Sequence, residues 1–580
     1  MTALRFEKFG GQMPIYDERL LPPDNAAYVE NAYLQSGTLE PLAADIYLHT
    51  LSDVDKKYAF RVPIANPGID NMIDSYWLEF NDPNTTVVIS PVNQLADGGR
   101  YYWASPYGGP PGYTTKARIE GSLPSLILGI PRPAAAPSIT VTGGAVPTVT
   151  RAYVYTWLSG LYEEGQPSPP ALMTGNYTGT WNITMTAPTT ADMANRDLRY
   201  TRIYRTETGT DGSVGFFFVA ELPIATLTFA DNVSGDIVAN SEILASEDWS
   251  GPPANLRGLT SMPNGMIAGW TANGEIWFCE PYRPHAWPVK YMLSVEAPIV
   301  GLGTIDQNVM ILTVGQPYVA NGTHPSIMTL RQVQPLEPCT AQGSIVSTPQ
   351  GVIYTSYNGL ILIGPSGGRN LTVNLIRKDQ WLRLINLRTI HATYFMEGYY
   401  CYSSVIDGVF EDAAYQTDDA YQQGDFTGTM VGAHIALTDD RLGYMTLTSP
   451  LPTYNVMLDV WTGETMVIRD GKVFHVDRRE YMPRQSYRWR SKLIQLPYKE
   501  NLGAAKIFFE QPNGPLPDQE TVFRLFVDGR LRYTRPVSKS GEQFRLPSGY
   551  MADTYQFELE GQLLINNLQV ATSPRDLRQV

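Results

Sequence analysis

A short glycine-rich motif is the first place in this chain where residue types and spacing match those of an enzyme. Gly364-Pro-Ser366-Gly-Gly368 fits the G-x-S-x-G pattern, in which the serine is a nucleophile on a sharp turn between a strand and a helix. Here Gly367-Gly368-Arg369-Asn370 continues as a turn and no helical pattern follows. We therefore interpret the motif as a turn between strands.

Other chemistry-bearing residues are scattered. The six histidines are far apart in sequence, so a structural role is the default for each and no metal site is predicted. Asp418-Asp419 is an acidic pair of the kind a glycosidase uses, with carboxylates ~5 to ~10 Å apart, but solvated loop charges explain it better. No phosphate-binding or dinucleotide-binding glycine motif is present. The sequence thus predicts no enzyme and no catalytic, cofactor or metal site.

Composition favours strands. The chain has 580 residues with 50 Gly, 44 Pro and 35 Tyr and only 17% charged residues, which suits many short strands and tight turns. Cys279, Cys339 and Cys401 are predicted to be small buried hydrophobes. No run of ~18 apolar residues exists, so no membrane-spanning segment is expected. The net charge of −14 disfavours stable binding of nucleic acid, because that affinity comes from cations that replace counterions.

A repeat organises the centre of the chain. Apolar runs begin at Met266, Val309 and Val352, each 43 residues after the one before, and a second run follows each after a Gly-bearing turn. A β-rich unit of ~40 to 45 residues is typical of a four-stranded propeller blade. Since one blade cannot bury both of its faces, we predict an all-β β-propeller of about six blades. A β-sandwich with accidentally even spacing is the alternative.

The rest of the chain is divided around that repeat. Residues 138–245 carry turn signals about every ten residues without a cysteine pair, which predicts an inserted fibronectin type III or Ig-like β-sandwich whose ends lie close together. Before the sandwich we predict an irregular N-terminal segment at 1–45 with a helical turn from Asp24, a first blade region at 46–130 and a stiff linker at 130–137. After the sandwich at 138–245 we predict propeller repeats at 250–500 and a C-terminal β region at 501–580 that closes the propeller.

One acidic segment, 407–441, fits no blade and is predicted to be a long loop or hairpin inserted in a blade. It is our candidate for a gate or lumen loop, a segment that changes between two arrangements, while a solvent-facing insertion explains it equally well. The candidate residues are Asp412, Asp418, Asp419, Asp425, Phe426, Asp439 and Asp440.

Two runs of residues, one N-terminal and one central, resemble a class of virion proteins from short-tailed bacteriophages, the tail nozzle or tail tubular protein B family. The N-terminal run includes Phe9-Gly10-Gly11, Pro14, Arg19-Leu20-Leu21-Pro22, Ala26-Ala27, Asn31, Leu34 and Ser36-Gly37. The central run includes Pro252-Pro253-Ala254-Asn255-Leu256-Arg257-Gly258-Leu259, Pro263-Asn264-Gly265, Glu280-Pro281-Tyr282, Pro284-His285-Ala286-Trp287-Pro288, Gly315, Pro317-Tyr318, Gly322 and Pro338-Cys339. The resemblance is spread over most of the chain and is specific only in combination.

The resemblance implies a propeller-based structural subunit of the phage tail, made in the host cytoplasm and assembled as a ring, a homohexamer. A tail adaptor protein would lie above the ring, tail fibre or tip proteins would attach to it, and genomic double-stranded DNA would pass through its channel during ejection. The sandwich and the 407–441 segment depart from the family pattern, so outer-surface partners and the gate position do not transfer. The excess of acidic residues agrees with rapid passage, since an acidic channel repels the duplex.

Two other classes of function stay open on the sequence. A tail-associated propeller that binds or cleaves host glycan would need a clustered acidic and aromatic pocket. A host-surface adhesin would use the inserted sandwich for contact. A ring with an axial channel would distinguish the conduit from both.

Overall fold

The computed structural model of the chain describes residues 3–64, 75–92, 99–144, 146–208, 214–335, 337–404, 430–437, 443–448, 451, 453–477, 483–510 and 520–578. These residues form two compact units. Unit 1 consists of Met1–Pro83 and Glu337–Val580, and unit 2 is Asn84–Leu336. Almost all regular structure is β, so the predicted all-β class, with propeller-type sheets and an inserted sandwich, is confirmed.

The N-terminal part of unit 1 is a series of short strands. These are β1 (Ala3–Phe6), β2 (Ala26–Glu30), β3 (Ala32–Tyr33), β4 (Glu40–Pro41), β5 (Ile46–Thr50), β6 (Tyr58–Pro63) and β7 (Ser75–Phe80). Strands β3 and β4 pair with each other, as do β6 and β7, while β1, β2 and β5 pair with strands from the far end of the chain. The helical turn predicted from Asp24 is wrong: residues 26–30 are strand β2, because pairing with another strand outweighs a weak local helix preference.

Outside its inserted sandwich, unit 2 contains, within its described residues, three four-stranded antiparallel sheets. Sheet A is β8 (Thr86–Ile89), β9 (Arg100–Ala104), β10 (Gly112–Thr115) and β11 (Leu126–Ile127), with helix α1 (Lys116–Glu120) between the last two. The sandwich follows, with β12 (Ser138–Thr142), β13 (Thr148–Ser159), β14 (Ala171–Asn176), β15 (Thr180–Thr184), α2 (Thr190–Arg196), β16 (Leu198–Thr208), β17 (Val214–Pro223), β18 (Thr228–Asp231) and α3 (Gly235–Val238). Sheet B is β19 (Gly258–Met262), β20 (Met266–Trp270), β21 (Glu275–Phe278) and β22 (Leu293–Ser294), and sheet C is β23 (Ile299–Ile305), β24 (Asn308–Thr313), β25 (Tyr318–Asn321) and β26 (Thr329–Gln332).

The remainder of unit 1 starts with three further sheets of the same kind. Sheet D is β27 (Val346–Thr348), β28 (Gly351–Ser356), β29 (Gly359–Gly364) and β30 (Gly367–Asn370), followed by helix α4 (Lys378–Leu384). Sheet E is β31 (His391–Phe395), β32 (Gly398–Ser404), β33 (Met430–Ala436) and β34 (Met445–Thr448), and sheet F is β35 (Thr453–Leu458), β36 (Thr465–Arg469) and β37 (Lys472–His475), completed by β5. Short 3-10 helices lie at Val289–Tyr291, Pro325–Ile327, Gln342–Ser344 and Asp576–Arg578.

The chain ends in a second β-sandwich within unit 1. Its strands are β38 (Tyr487–Ser491), β39 (Ile494–Glu500), β40 (Ala504–Glu510), β41 (Thr521–Val527), β42 (Arg530–Val537), β43 (Gln543–Arg545), β44 (Ala552–Gly561) and β45 (Leu564–Ala571). One sheet has the order β1-β45-β40-β43, and β2, β38, β44, β41 and β42 continue sheet E into the other. The sequence predicts that 501–580 supplies a closing blade; in the structure these strands instead form this sandwich, and β5 completes sheet F.

The 43-residue repeat has a clear structural origin. The three apolar runs are β20, β24 and β28, the second strands of sheets B, C and D, and the runs that follow them are the third strands. These second strands are buried on both faces, which explains why their apolar residues do not alternate with polar ones. The repeat therefore reports consecutive sheets, as predicted, and the number of blades in a closed propeller stays a prediction.

Neighbouring sheets in each unit pack through their first strands. In unit 2, β19 contacts β8 and β23; in unit 1, β31 contacts β27 and β35. These six first strands contain no Asp, Glu, Lys or Arg, because a strand packed among its neighbours cannot keep a charged group hydrated. This is the arrangement of blades side by side that a propeller uses.

The predicted first blade is divided in the structure. The sequence places strands at 57–63, 76–80, 86–92 and 100–104 in one blade. Instead, β6 and β7 form a separate hairpin in unit 1, and β8 and β9 belong to sheet A with β10 and β11. The four strands are present where they are predicted. Because four strands precede β10 and β11 in the sequence, the predicted blade is already complete without these two partners and omits them.

The inserted sandwich packs a three-stranded sheet, β12-β15-β18, against a four-stranded sheet, β14-β13-β16-β17. Trp181, Tyr153 and Ile203 lie in its buried core. Its two ends meet: a β-carbon built on Gly129 would lie 2.7 Å from the Cα of Gly251. The expectation that the ends of the insertion lie close together is therefore confirmed.

A buried ion pair fixes the β6–β7 hairpin to sheet F. The Arg61 guanidinium donates to the Asp459 Oδ2 from Nε at 3.2 Å and from Nη2 at 2.6 Å, and neither side chain is more than 1% exposed. Trp461 donates its indole N–H to the Arg61 carbonyl at 3.0 Å. Removing one member of such a pair leaves the other charge buried without compensation.

We expect Asp459→Ala to lower the free energy of unfolding by ~3 to 5 kcal/mol, because it leaves the Arg61 charge buried. Chemical denaturation of the full chain measures the change. Asp17→Ala is the matched control, since its partner Arg19 is as exposed as Asp17 itself, and there we expect little or no change in the free energy of unfolding. Equal effects of the two variants would contradict the structural role given to the Arg61–Asp459 pair.

Candidate functional site

The candidate gate segment is carried by a hairpin of sheet E. Strands β32 and β33 are paired along their whole length, and the last pair before the tip is Ser404 with Met430. Residues 405–429 therefore join two directly paired strand ends. The insertion lies at a hairpin tip between the second and third strands of a blade-like sheet, so its ends are held at the separation of neighbouring strands.

All seven candidate gate residues lie outside the described residues. Asp412, Asp418, Asp419, Asp425 and Phe426 fall within 405–429, and Asp439 and Asp440 fall within 438–442. The prediction for 407–441 is a loop or a hairpin, and 430–436 is strand β33, paired with β32, so a single uninterrupted loop is excluded. Acidic residues on both sides hid a short uncharged run, Val431-Gly-Ala-His-Ile-Ala436. The structure thus separates the candidates into two groups.

The base of this hairpin is tightly packed around Gly432. A β-carbon added there would lie 1.8 Å from the Thr448 Oγ1 and 2.6 Å from the Tyr402 ring. Tyr402 is the register partner of Gly432, and Thr448 is its partner on the other side, in β34. Only glycine leaves room for these two side chains at this position.

A buried arginine connects the hairpin base to sheet F. Arg469 donates to the Tyr402 hydroxyl at 3.2 Å and to the Thr453 Oγ1 at 2.8 Å, and it forms an ion pair with Asp45, just before β5. The Tyr402 hydroxyl also lies 3.1 Å from that of Tyr400. Burial, together with the neighbours Tyr402 and Asp45, raises the pKa of Tyr400 well above its usual value. The Tyr400 hydroxyl therefore stays protonated, and this cluster is suited to holding the hairpin in place and not to acid–base chemistry.

The residues that carry the family resemblance occupy packed positions. In unit 1, Phe9 packs edge-on against Trp489 with ring centroids 5.0 Å apart, and a β-carbon on Gly10 would lie 2.8 Å from the Asp24 carbonyl oxygen. Gly11 lies against the Tyr444 ring. At both positions a neighbouring group lies too close to the backbone for a side chain to fit, so packing requires glycine in this part of the N-terminal run.

In unit 2 one part of the central run, residues 280–288, forms the loop after β21. Trp287 is fully buried, donates its indole N–H to the Pro284 carbonyl at 2.8 Å, and exchanges backbone and side-chain hydrogen bonds with Ser250 at 2.6 Å. Ser250 stands where the chain leaves the sandwich, next to Gly251. The Pro284–Pro288 part of the motif therefore fastens the exit of the inserted domain.

His285 is the one titratable group of that motif, and it is buried. Burial, followed by the positive charges of Arg283 and Arg100, lowers the pKa of His285 from 6.5 to about 3. The imidazole is therefore neutral in the folded protein at neutral pH. Among the residues that the structure describes, neither ring nitrogen meets hydrogen-bond geometry with a partner, although the Glu164 backbone lies beside the ring.

The other motifs considered from the sequence have structural explanations where the structure describes them. Gly364 pairs with Gly367 across the β29–β30 turn, so Ser366 lies in a β-hairpin turn and not before a helix, as expected. All three cysteines are buried, and burial raises their thiol pKa values to about 12. Within the described ranges, no group of three metal-ligating residues and no helix long and apolar enough to cross a membrane was found.

Comparison with known proteins leaves this chain without an assigned family. No protein-family model matches it, and no curated protein matches it. Among solved structures, BBS1N in complex with ARL6DN covers 75% of this chain and 96% of its own at 8% identity and a TM-score of 0.25. The Myceliophteria thermophila Cps50 (Swd1) β-propeller domain covers 48% and 92% at 9% identity and a TM-score of 0.19, and a glycoside hydrolase covers 76% and 98% at 9% and 0.16. Likenesses this weak support no conclusion about function.

We expect Gly432→Ala to destabilise unit 1 by ~1 to 3 kcal/mol, because the added methyl group forces Thr448 and Tyr402 apart. Chemical denaturation measures it. Gly364→Ala is the control, since its β-carbon would meet nothing closer than 3.8 Å. Wild-type stability of Gly432→Ala would show that the hairpin base is not packed as described.

We expect folding stability to fall on acidification because of His285. Its folded-state pKa is lowered, so below pH 6.5 the unfolded chain binds a proton that the folded chain excludes until about pH 3. At pH 5 this amounts to about 2 kcal/mol relative to neutral pH. His285→Gln removes the contribution, so the stability difference between wild type and variant should be constant from pH 8 to pH 7 and then shift by about this amount at pH 5. A difference independent of pH throughout would contradict the prediction.

Proposed function

We propose that this chain is a structural subunit of the tail of a short-tailed bacteriophage, a nozzle protein that assembles as a ring and conducts DNA during ejection. The observation that carries the proposal is the combined resemblance of the N-terminal and central runs to that class. A homohexamer, a tail adaptor protein above it, and tail fibre or tip proteins around it are the partners that the proposal includes. Genomic double-stranded DNA is a transient passenger, and the location is the virion.

Several physical features support a passive conduit. The residues of the resemblance lie in packed joints, where they keep glycines against carbonyl groups and fasten the inserted sandwich, so they specify architecture. The net charge of −14 opposes capture of a phosphate backbone. A conduit needs weak interaction with its cargo, and these features supply it.

A ring built from one kind of subunit needs a heterologous contact, in which two different surfaces of the chain meet. The charge distribution of this chain is uneven enough to help. From Tyr487 to the end there are 13 Lys and Arg against 10 Asp and Glu, whereas the whole chain has 43 against 57. The slightly basic C-terminal sandwich of one copy attracts the acidic remainder of another copy, whereas two parts of the same charge repel each other. This favours head-to-tail over head-to-head contact.

We expect the purified full chain to form closed rings of about six copies with a central hole. Native mass spectrometry gives the copy number, and class averages from negative-stain electron microscopy show the hole. A protein that stays monomeric at all concentrations, and that binds or hydrolyses host-surface glycan, would contradict the conduit and support the glycan-directed alternative.

The gate function of the 405–429 segment is tested on the same rings. Because Ser404 and Met430 are paired neighbours, Asn-Gly can replace 405–429 as a two-residue hairpin turn. A gate predicts that the shortened ring passes a duplex which the wild-type ring blocks. Replacing the sandwich between Gly129 and Gly251 by a short glycine linker is the matched control, because it removes a larger insertion whose ends also meet. If both variants behave alike, the segment is not a gate.

A further inference from the structure

A buried polar cluster lies where the inserted sandwich joins sheet A. It contains Arg100 and Tyr102 from β9, Tyr113 from β10, Glu163 from the turn after β13, and His285 from the loop after β21. None of the five is more than 6% exposed. Around them is an apolar core that includes Leu126, Leu128 and Trp287. Five polar side chains thus share one enclosed region inside an otherwise apolar joint of unit 2.

The cluster is electrically balanced. The Arg100 guanidinium donates to the Glu163 carboxylate at 3.2 Å, so their charges cancel. Burial, then the Glu163 charge, raises the pKa values of Tyr102 and Tyr113, and the low pKa of His285 keeps its ring uncharged. A ligand in this region would therefore have to be neutral, since a further ion would have no counter-charge.

Hydrogen-bonding capacity is left over in this balanced cluster. The Tyr113 hydroxyl has no hydrogen-bond partner in the part of the chain that the structure describes, and neither His285 nitrogen meets hydrogen-bond geometry there, although the Glu164 backbone lies beside the ring. The Tyr102 hydroxyl lies beside Ser90 without meeting hydrogen-bond geometry. His285 Nδ1 is 3.8 Å from the Glu163 Oε1, too far for a direct bond. Buried polar groups in native proteins nearly always have partners, and a polar contact beyond 3.5 Å is one that water commonly bridges.

We infer that this cluster is a binding site for ordered water, which links Tyr113, Glu163 and His285 and so holds the inserted sandwich to sheet A. A neutral imidazole offers one donor and one acceptor, a tyrosine hydroxyl offers both, and the carboxylate accepts, so together they provide the two to four partners that a buried water uses.

Two observations place the site at a mechanical joint. The Glu163 turn is fixed to the sandwich, because the Ser159 Oγ accepts from the Glu163 N–H at 3.2 Å and the Ser159 N–H donates to the Glu163 carbonyl at 3.0 Å. On the other side, the Arg196 guanidinium of α2 donates to the carbonyls of Leu128 and Gly129, where the chain leaves sheet A. The water site therefore lies between two rigid attachments, and its loss would loosen the insertion without unfolding it.

The test is Tyr113→Phe in the full chain. A hydrated site loses a bridging partner, so the melting temperature should fall by about 2 to 4 °C, whereas a dry site loses an unsatisfied hydroxyl and its melting temperature should rise. Tyr153→Phe is the matched control, because its hydroxyl donates directly to Asp231 at 2.6 Å and its removal must destabilise in either case.

A crystal structure that resolves ordered solvent decides the matter independently of the variant's stability. Solvent peaks within hydrogen-bonding distance of the Tyr113 hydroxyl and a His285 nitrogen, at least one of them missing in Tyr113→Phe, would establish the site. An apolar void there together with a raised melting temperature, or density for a larger molecule, would overturn the inference.

Discussion

Unit 1 depends on strand pairing between the two ends of the sequence. Strand β1 pairs with β45, β2 with β38, and β5 with β37, so three separate N-terminal strands each join a sheet whose other strands lie between residues 391 and 571. An unpaired sheet edge exposes backbone donors and acceptors, and the pairings of β1 and β5 cover the edges of β45 and β37. The Arg61–Asp459 and Arg469–Asp45 ion pairs lie beside the same connections. The N-terminal segment, irregular in its sequence pattern, is therefore the part that closes this unit.

Local pattern predicted much of the fold, and partner choice explains what it missed. The second strands of sheets B, C and D were recognisable because burial on both faces makes them continuously apolar, and their spacing revealed the repeat. Residues 26–30 read as helical because Ala26-Ala27 has helical propensity, yet β38 is more than 450 residues away and only the fold shows that it pairs there. The C-terminal strands were found one by one, but their period-2 alternation does not distinguish a blade from a sandwich.

The two candidate sites, the 405–429 insertion and the buried polar cluster, also differ in how far the sequence could predict them. The acidic residues of 405–429 attracted attention as a composition anomaly, and pairing of β32 with β33 explains why an insertion is tolerated there: the hairpin is complete without it. The cluster of Arg100, Glu163 and His285 had no sequence signal at all, because its members come from three structural elements and each is an ordinary residue in its own segment. Composition can mark an insertion, whereas only three-dimensional packing brings such a polar cluster together.

The meeting of Gly129 with Gly251 has an evolutionary consequence. A domain whose first and last residues touch can be removed, or exchanged for another with similarly placed ends, while the sheet that carries it keeps its own strand pairing. The sheets that must fit together and the domain that adds surface are thus under separate selection. A lineage could change the exposed surface of this protein by recombination at two adjacent glycines.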